Sequence, residues 1–322
     1  MKKALFLFSI FTLIIGCQQE NPPQNHRDHQ ANHVAVIIDD LLWNGEIGDT
    51  LRQRLASPVL GLTQEEPLFT LDQYPQKILE GYMSHSRNIV VVKRGPKKNF
   101  EIKLDQYTIP QTVVYISGRN TDELIDVIQA NSAEMISQIR NREIYCMQEN
   151  FKKSALNVNR IQDKFGISIV VPTEFKYVKE ADNFIWLKKD ITSGNTNIAI
   201  YQVPLNFVMP KSDVVNNVVR IRDSVAALYI HGAAEGTVMI TEKSYSPYLF
   251  KTKIDGKRAF EIRGTWELDR NMAGPFVNYT VIDSVNNRAL IIEGFCHIPA
   301  KHKRDLMIEL EAIIKSTKFN SK

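Results

Sequence analysis

Residues 249–268 read LFKTKIDGKRAFEIRGTWEL. Asp255-Gly256 at the centre suits a type I′ turn, because both central residues of that turn need positive φ, which Gly adopts freely and Asp tolerates. The flanks predict an antiparallel hairpin, Leu249 to Ile254 against Lys257 to Leu268. By the two-residue period Phe260, Ile262, Trp266 and Leu268 share one face, with Gly264 leaving a gap between them.

Outward from the hairpin the same grammar continues. Phe276 to Ile282 and Arg288 to Ile298, joined around Asn286-Asn287, read as a second hairpin. Pro299 then separates the sheet from an amphipathic helix, Lys301 to Ser316, with Leu306, Leu310, Ile313 and Ile314 inward; this stripe is expected to bury the Trp266 face. Upstream, Ile167 to Val171, Glu174 to Val178, Phe184 to Lys188 and Asn197 to Val203 are short strand runs. Val214, Val218, Ile221 and Val225 mark a helix over 211–228.

The first half is written differently. Val34 to Ile38, Asn88 to Lys93 and Thr112 to Ile116 are apolar runs of buried-strand type, and Phe100 to Leu104 alternates as a half-exposed strand. Ile47, Leu51 and Leu55 predict a helix stopped by Pro58. Asn120 with Glu123, and Asn131 with Glu134, resemble two capping boxes, so two helices or one sharply bent helix are expected, with an apolar series running on to a stop at Gly166. The fold class is therefore α+β (mixed): an N-terminal α/β-type half at 34–165, a long connecting helix, and a C-terminal, mainly antiparallel half at 166–322.

Composition sets the outer bounds. The chain has 322 residues, 43% of them hydrophobic and 24% charged, with a net charge of +4 and three cysteines. This excludes a disordered chain, a disulfide scaffold and a multi-span membrane protein. Lys2-Lys3 followed by Ala4 to Ile15 reads as a signal peptide over 1–16, too short for a membrane span. It ends Leu13-Ile-Ile-Gly-Cys17, which resembles a bacterial lipobox and makes Cys17 the expected lipid-attachment residue. Residues 17–33 then form a polar tether, with His26, His29 and His33 read as solvated. The expected place is the cell envelope, with the chain lipid-anchored at the outer membrane on its periplasmic side, or at the cell surface. Loss of Lys2 and Lys3 lowers an already small positive charge, so the membrane and an envelope protein are expected partners and nucleic acid is not.

The chemical candidates are few. Asp39 and Asp40 end the first strand as metal or phosphoryl-transfer carboxylates do in open α/β sheets, and Glu65 and Glu66 would add two more. Arg119 precedes a helix N-terminus, a candidate anion cradle. Turn and capping use competes with each of these. No nucleophile, cofactor loop or metal set is evident, so no cofactor and no metal is expected, and Cys146 and Cys296 read as packing residues.

Several segments together carry a family resemblance. Ile37-Ile-Asp-Asp-Leu-Leu-Trp-Asn-Gly-Glu46, Gln64-Glu-Glu-Pro-Leu-Phe69, Arg87-Asn88, Gln111 to Gly118, Arg263-Gly-Thr-Trp266, Met272 to Asn278 and Lys303-Arg304-Asp305 resemble domain of unknown function 4837, a family of bacterial envelope lipoproteins. The resemblance spans about 34–319. It implies a lipobox and a shared fold, and it carries over no catalytic residue. The expected function is that of a non-enzymatic binding or scaffolding lipoprotein. The alternatives are a periplasmic hydrolase or metal-dependent enzyme built on the acidic cluster, and a small-molecule or lipid carrier.

Overall fold

A computed structural model describes residues 31–79, 85–209, 213–232, 234–269, 272–299 and 301–320. Cys17, the signal peptide, and His26 and His29 lie outside the described residues. In the first half, β1 (His33–Ile37), β2 (Thr70–Tyr74), β3 (Asn88–Arg94), β4 (Asn99–Leu104) and β5 (Thr112–Gly118) form one sheet in the order β2-β1-β3-β5-β4. All neighbours are parallel except β4, which joins β5 antiparallel at the edge. β2 has no apolar run to announce it; its ladder with β1 makes it a strand.

Helix α1 (Asp40–Trp43) is short and exposed, whereas α2 (Glu46–Leu55) lays Ile47, Leu51 and Leu55 on one face of that sheet. Helix α3 (Thr121–Lys152) covers the same face with Leu124, Ile128, Met135 and Ile139. It is one continuous helix of 32 residues, about 48 Å at 1.5 Å per residue. The second capping box does not form. Asn131 instead turns its Nδ2 back to the Val127 carbonyl at 2.7 Å, so the residue is satisfied inside the helix. The helix also stops earlier than its apolar series suggests. Ala155 bridges to Pro172, and a separate α4 (Asn159–Phe165) ends at Gly166.

In the second half, β7 (Lys176–Ala181), β8 (Phe184–Ile191), β9 (Gly194–Pro204), β10 (Ile240–Thr241), β11 (Tyr248–Ile254), β12 (Lys257–Asp269), β13 (Met272–Asp283) and β14 (Arg288–His297) form an antiparallel sheet; β6 (Ile167–Ser168) pairs separately with β15 (Lys318–Phe319). The order is β10-β12-β13-β14-β9-β8-β7, with β11 also paired to β12. Asp255 and Gly256 have φ of 47° and 75°, the two positive values a type I′ turn requires. The chain is thus α+β, with two large sheets of different grammar and a small two-stranded one among the described residues.

Helix α5 (Val214–Tyr229) covers one face of the large sheet and α6 (Arg304–Lys315) the other. Trp266 is buried, as the strand period requires, but not against α6. Its ring meets Phe295 edge-on at 5.8 Å in the layer shared with α5, while α6 packs Leu310, Ile313 and Ile314 with Val277, Tyr279 and Ile292 on the opposite face. Both faces of this sheet are apolar, and the two-residue period sorts residues into faces without saying which helix covers which.

Candidate functional site

Three of the four carboxylates singled out in the sequence serve separate structural ends. Asp39 is the N-cap of α1, accepting from Leu41 N–H at 2.9 Å. Asp40 accepts from Gln73 Nε2 at 2.8 Å, beyond the C-terminal end of β1. Glu66 is buried and accepts from the backbone N–H groups of Lys303 (2.7 Å) and Arg304 (2.9 Å), so it caps α6 from a loop 237 residues away. Arg304 also donates to Pro67 O and to Thr70 Oγ1, which places Glu66 at the N-terminal edge of β1 and β2. The two acidic pairs are therefore at opposite ends of a five-residue strand, about 16 Å apart at 3.3 Å per residue. Glu65, next to Glu66, points to solvent. No group of three metal-ligating side chains occurs among the described residues.

Arg119 donates through Nε and through its backbone N–H, each at 2.8 Å, to Glu123. Those hydrogen bonds from Arg119 hold the Glu123 carboxyl down at about 2. The cradle read from Arg119 is filled by the protein's own carboxylate. Cys146 and Cys296 are free thiols, pushed up to about 11 and about 12 by burial, which makes them poor nucleophiles.

Glu66 belongs to a seam between the two halves. Gly61, at φ +83°, lies so close to Arg263 that a Cβ there would stand 2.8 Å from the Arg263 Cβ. Asn32 donates to Asp305 at 2.8 Å, and α3 lays Ile144, Met147 and Phe151 against Ile308 and Ala312 of α6. At the centre Glu311 is buried and bonded to Arg140 of α3 (2.6 Å), Arg263 of β12 (2.7 Å) and Lys315 (2.8 Å). Burial alone would raise the Glu311 carboxyl; Arg263, Arg140 and Lys315 outweigh it and hold the group well below its usual range. Gln64, Glu66, Arg263 and the Lys303-Arg304-Asp305 run all meet here, so three of the seven segments that carry the family resemblance converge on this joint. Its charges are spent on one another.

The same holds for a cavity of about 540 Å³ beside Phe165 and Phe319, where Lys257 and Arg288 both pair with buried Asp283 and Lys164 lies 3.3 Å from Glu180.

The hairpin β11–β12 is different. Its two-residue turn makes Ile254–Lys257 a hydrogen-bonded pair, so Lys253 and Arg258 face each other in the next, non-hydrogen-bonded pair, where side chains stand closest. Lys251 lies on the same face, opposite Phe260. These three cations ring a groove of about 520 Å³ floored by Met209, Phe260 and Ile282. None of the three side chains has an ion pair or hydrogen bond among the described residues, and all are exposed. Like charges directly across a ladder are destabilising, so this face carries a local electrostatic cost that no side chain among the described residues offsets. The arrangement suits a ligand with an apolar body and an anionic group. The sequence reading missed it, although the register follows from Asp255-Gly256 by counting outward.

No helix among the described residues is long and apolar enough to cross a membrane. The family model described as domain of unknown function DUF4837 matches residues 154–316, and a second, described as domain of unknown function DUF8532, matches 29–152. The resemblance read from sequence over 34–319 thus divides between two models. No curated protein matches the chain. Among solved structures, the Ran-binding protein Mog1p of Saccharomyces cerevisiae is 11% identical with a TM-score of 0.32, covering 48% of this chain and 90% of its own. CyanoP, the cyanobacterial PsbP of Synechocystis, is 9% identical with a TM-score of 0.34, covering 48% and 86%. LpqN of Mycobacterium tuberculosis, described as involved in cell envelope biogenesis, is 10% identical with a TM-score of 0.29, covering 48% and 83%.

Proposed function

The chain belongs to the family described as domain of unknown function DUF4837, and we propose that it is a lipid-anchored, non-enzymatic binding protein of the bacterial cell envelope whose ligand site is the basic groove of the β11–β12 hairpin. The observation that carries the binding reading is the close pair Lys253–Arg258, with Lys251 beside it, unneutralised above the Phe260 and Ile282 floor. An anionic group there would remove a like-charge repulsion and gain several charge-assisted hydrogen bonds, while its apolar body would cover the floor. At the seam and in the cavity beside Phe165 and Phe319 the cations are paired with carboxylates, so charge is available for recognition here in a way it is not there. The envelope reading is supported by Lys2-Lys3, the apolar run Ala4 to Ile15 and the Leu-Ile-Ile-Gly-Cys17 sequence.

Decanoate serves as a minimal probe, with decanol as its neutral counterpart. Calorimetric titration is expected to show decanoate binding, and the combined change Lys251→Gln, Lys253→Gln and Arg258→Gln should weaken it by about tenfold or more, some 1.4 kcal/mol. Equal affinity in the variant, or equal affinity for decanol, would remove the groove from consideration. For the anchor, a fatty-acid analogue fed to cells should label the wild type and spare Cys17→Ser; equal labelling of both would refute lipidation.

A further inference from the structure

Beyond its charge, the groove lies along an open sheet edge. Among the described residues β11 pairs only with β12, so its other side is unpaired there. Because Ile254 and, by alternation, Thr252, Phe250 and Tyr248 direct their backbone groups to β12, the N–H and C=O groups of Leu249, Lys251 and Lys253 point outward along this edge. Each face of the edge has its own depression. The basic groove is on the α5 face. On the α6 face, a cleft of about 370 Å³ runs between Phe250 of the strand and Leu60 and Leu68 of the seam loop; of its charged lining, Arg140, Glu261, Arg263, Glu311 and Lys315 are paired with one another. Tyr248, Leu249 and Phe250 are 42%, 38% and 41% exposed, an apolar display that a strand protected only against self-association would not keep.

Resting on the groove reading above, we propose that the ligand is an extended peptide of another protein, which adds to β11 as a further antiparallel strand. Such a strand would bond to Leu249, Lys251 and Lys253, and its side chains would alternate between the two depressions. Residues in hydrogen-bonded pairs with Lys251 and Lys253 share the face of those lysines. Charge complementarity makes them acidic, with their carboxylates also within the field of Arg258. Residues between them face Phe250 and Leu60 and are apolar. The recognised sequence is therefore an alternation of acidic and apolar residues. A second copy of this chain fits the edge poorly, because antiparallel self-pairing centred on Lys251 sets Lys251 against Lys251, and Lys253 beside the same cluster.

The test uses a fluorescein-labelled hexapeptide, Glu-Val-Glu-Phe-Glu-Val, with the lipid-free full-length body and anisotropy as the readout. The same peptide, N-methylated on its glutamate amides, loses the donors that would face β11. Leu249→Pro removes an outward N–H from the edge, a position where proline is tolerated. We expect the plain peptide to bind, N-methylation to weaken it by about tenfold or more, and Leu249→Pro to do the same while decanoate affinity stays unchanged. Equal binding of plain and methylated peptide would overturn strand addition and leave the groove reading standing, whatever the folding of the proline variant. Binding of decanoate without the peptide would make the occupant an amphiphile and also overturn it. Concentration-dependent dimers in sedimentation that Leu249→Pro abolishes would assign the edge to a second copy. Failure of the wild type to bind decanoate would bring down the groove reading itself.

Discussion

The seam and the basic groove both gather cations on the same large sheet, yet they differ in what those cations face. At the seam Arg140, Arg263 and Lys315 converge on one buried carboxylate, Glu311. At the groove Lys251, Lys253 and Arg258 converge on an apolar floor and on one another. Charges matched within the chain hold its halves together; charges left unmatched are free to recognise something else. The seam is therefore where substitution should cost stability, and the groove is where it should cost binding.

The largest effect is expected at Glu311. Glu311→Gln leaves Arg263 and Arg140 with a neutral acceptor in a dry site, and removing one member of a buried ion pair typically costs about 3–5 kcal/mol. Chemical denaturation at pH 7 measures it. A loss below about 1 kcal/mol, the scale of an exposed pair, would mean that the seam charges are solvated and the contrast with the groove false. The pH dependence sharpens the point. The folded-state pKa of Glu311 lies below the unfolded value of about 4.3, so its contribution is present above that value and fades as pH falls from there toward the folded pKa. The gap between wild type and Glu311→Gln should accordingly narrow in acid.

Glu293 makes the internal control. It lies on the α5 face, bonded to Arg222 at 2.9 Å and to Asn278 at 2.8 Å, and Arg222 also lies 3.3 Å from Asp223. Burial dominates there and raises the Glu293 carboxyl, with Arg222 only partly opposing it. The sign is reversed: its favourable contribution is complete below the unfolded pKa and is lost as pH rises through the folded one. In one pH series, wild type should gain on Glu311→Gln and lose ground to Glu293→Gln as pH rises. Parallel curves would show that three cations do no more for a buried carboxylate than one shared arginine.

How much of this could be read in advance follows the range of the interactions. Strands β1, β3 and β5 were legible because buried parallel strands are written as continuous apolar runs, and β11–β12 because Asp255-Gly256 sets its own turn. Strand β2 was not, since Thr70–Tyr74 is a strand only by virtue of its neighbour β1. Glu66 was visible as an acidic residue and invisible as a cap, because the helix it caps lies 237 residues away and nothing near Glu66 announces it. The groove is the instructive miss. Lys251, Lys253 and Arg258 read locally as a solvated strand face, and only the register of the turn sets Lys253 against Arg258. For a site of this kind the signal lies in the pairing of charges, not in their number.

The smallest effect on stability, and the one that most directly tests the division between joint and groove, is expected at those three cations. Each is exposed and without a partner among the described residues, and Lys253 and Arg258 repel across the ladder. Changing an exposed residue of that kind usually alters stability by no more than about 0.5 kcal/mol. For Lys253→Gln the sign should be slightly stabilising, because relief of a like-charge cross-strand pair is worth a few tenths of a kcal/mol and no ion pair is lost in exchange. The gain should shrink as salt screens the repulsion, with a screening length of about 10 Å at 0.1 M. Thermal melts of Lys253→Gln at low and high ionic strength measure both. A loss of 2 kcal/mol or more would mean that Lys253 holds the fold together, and the groove would then be a second joint instead of a binding surface.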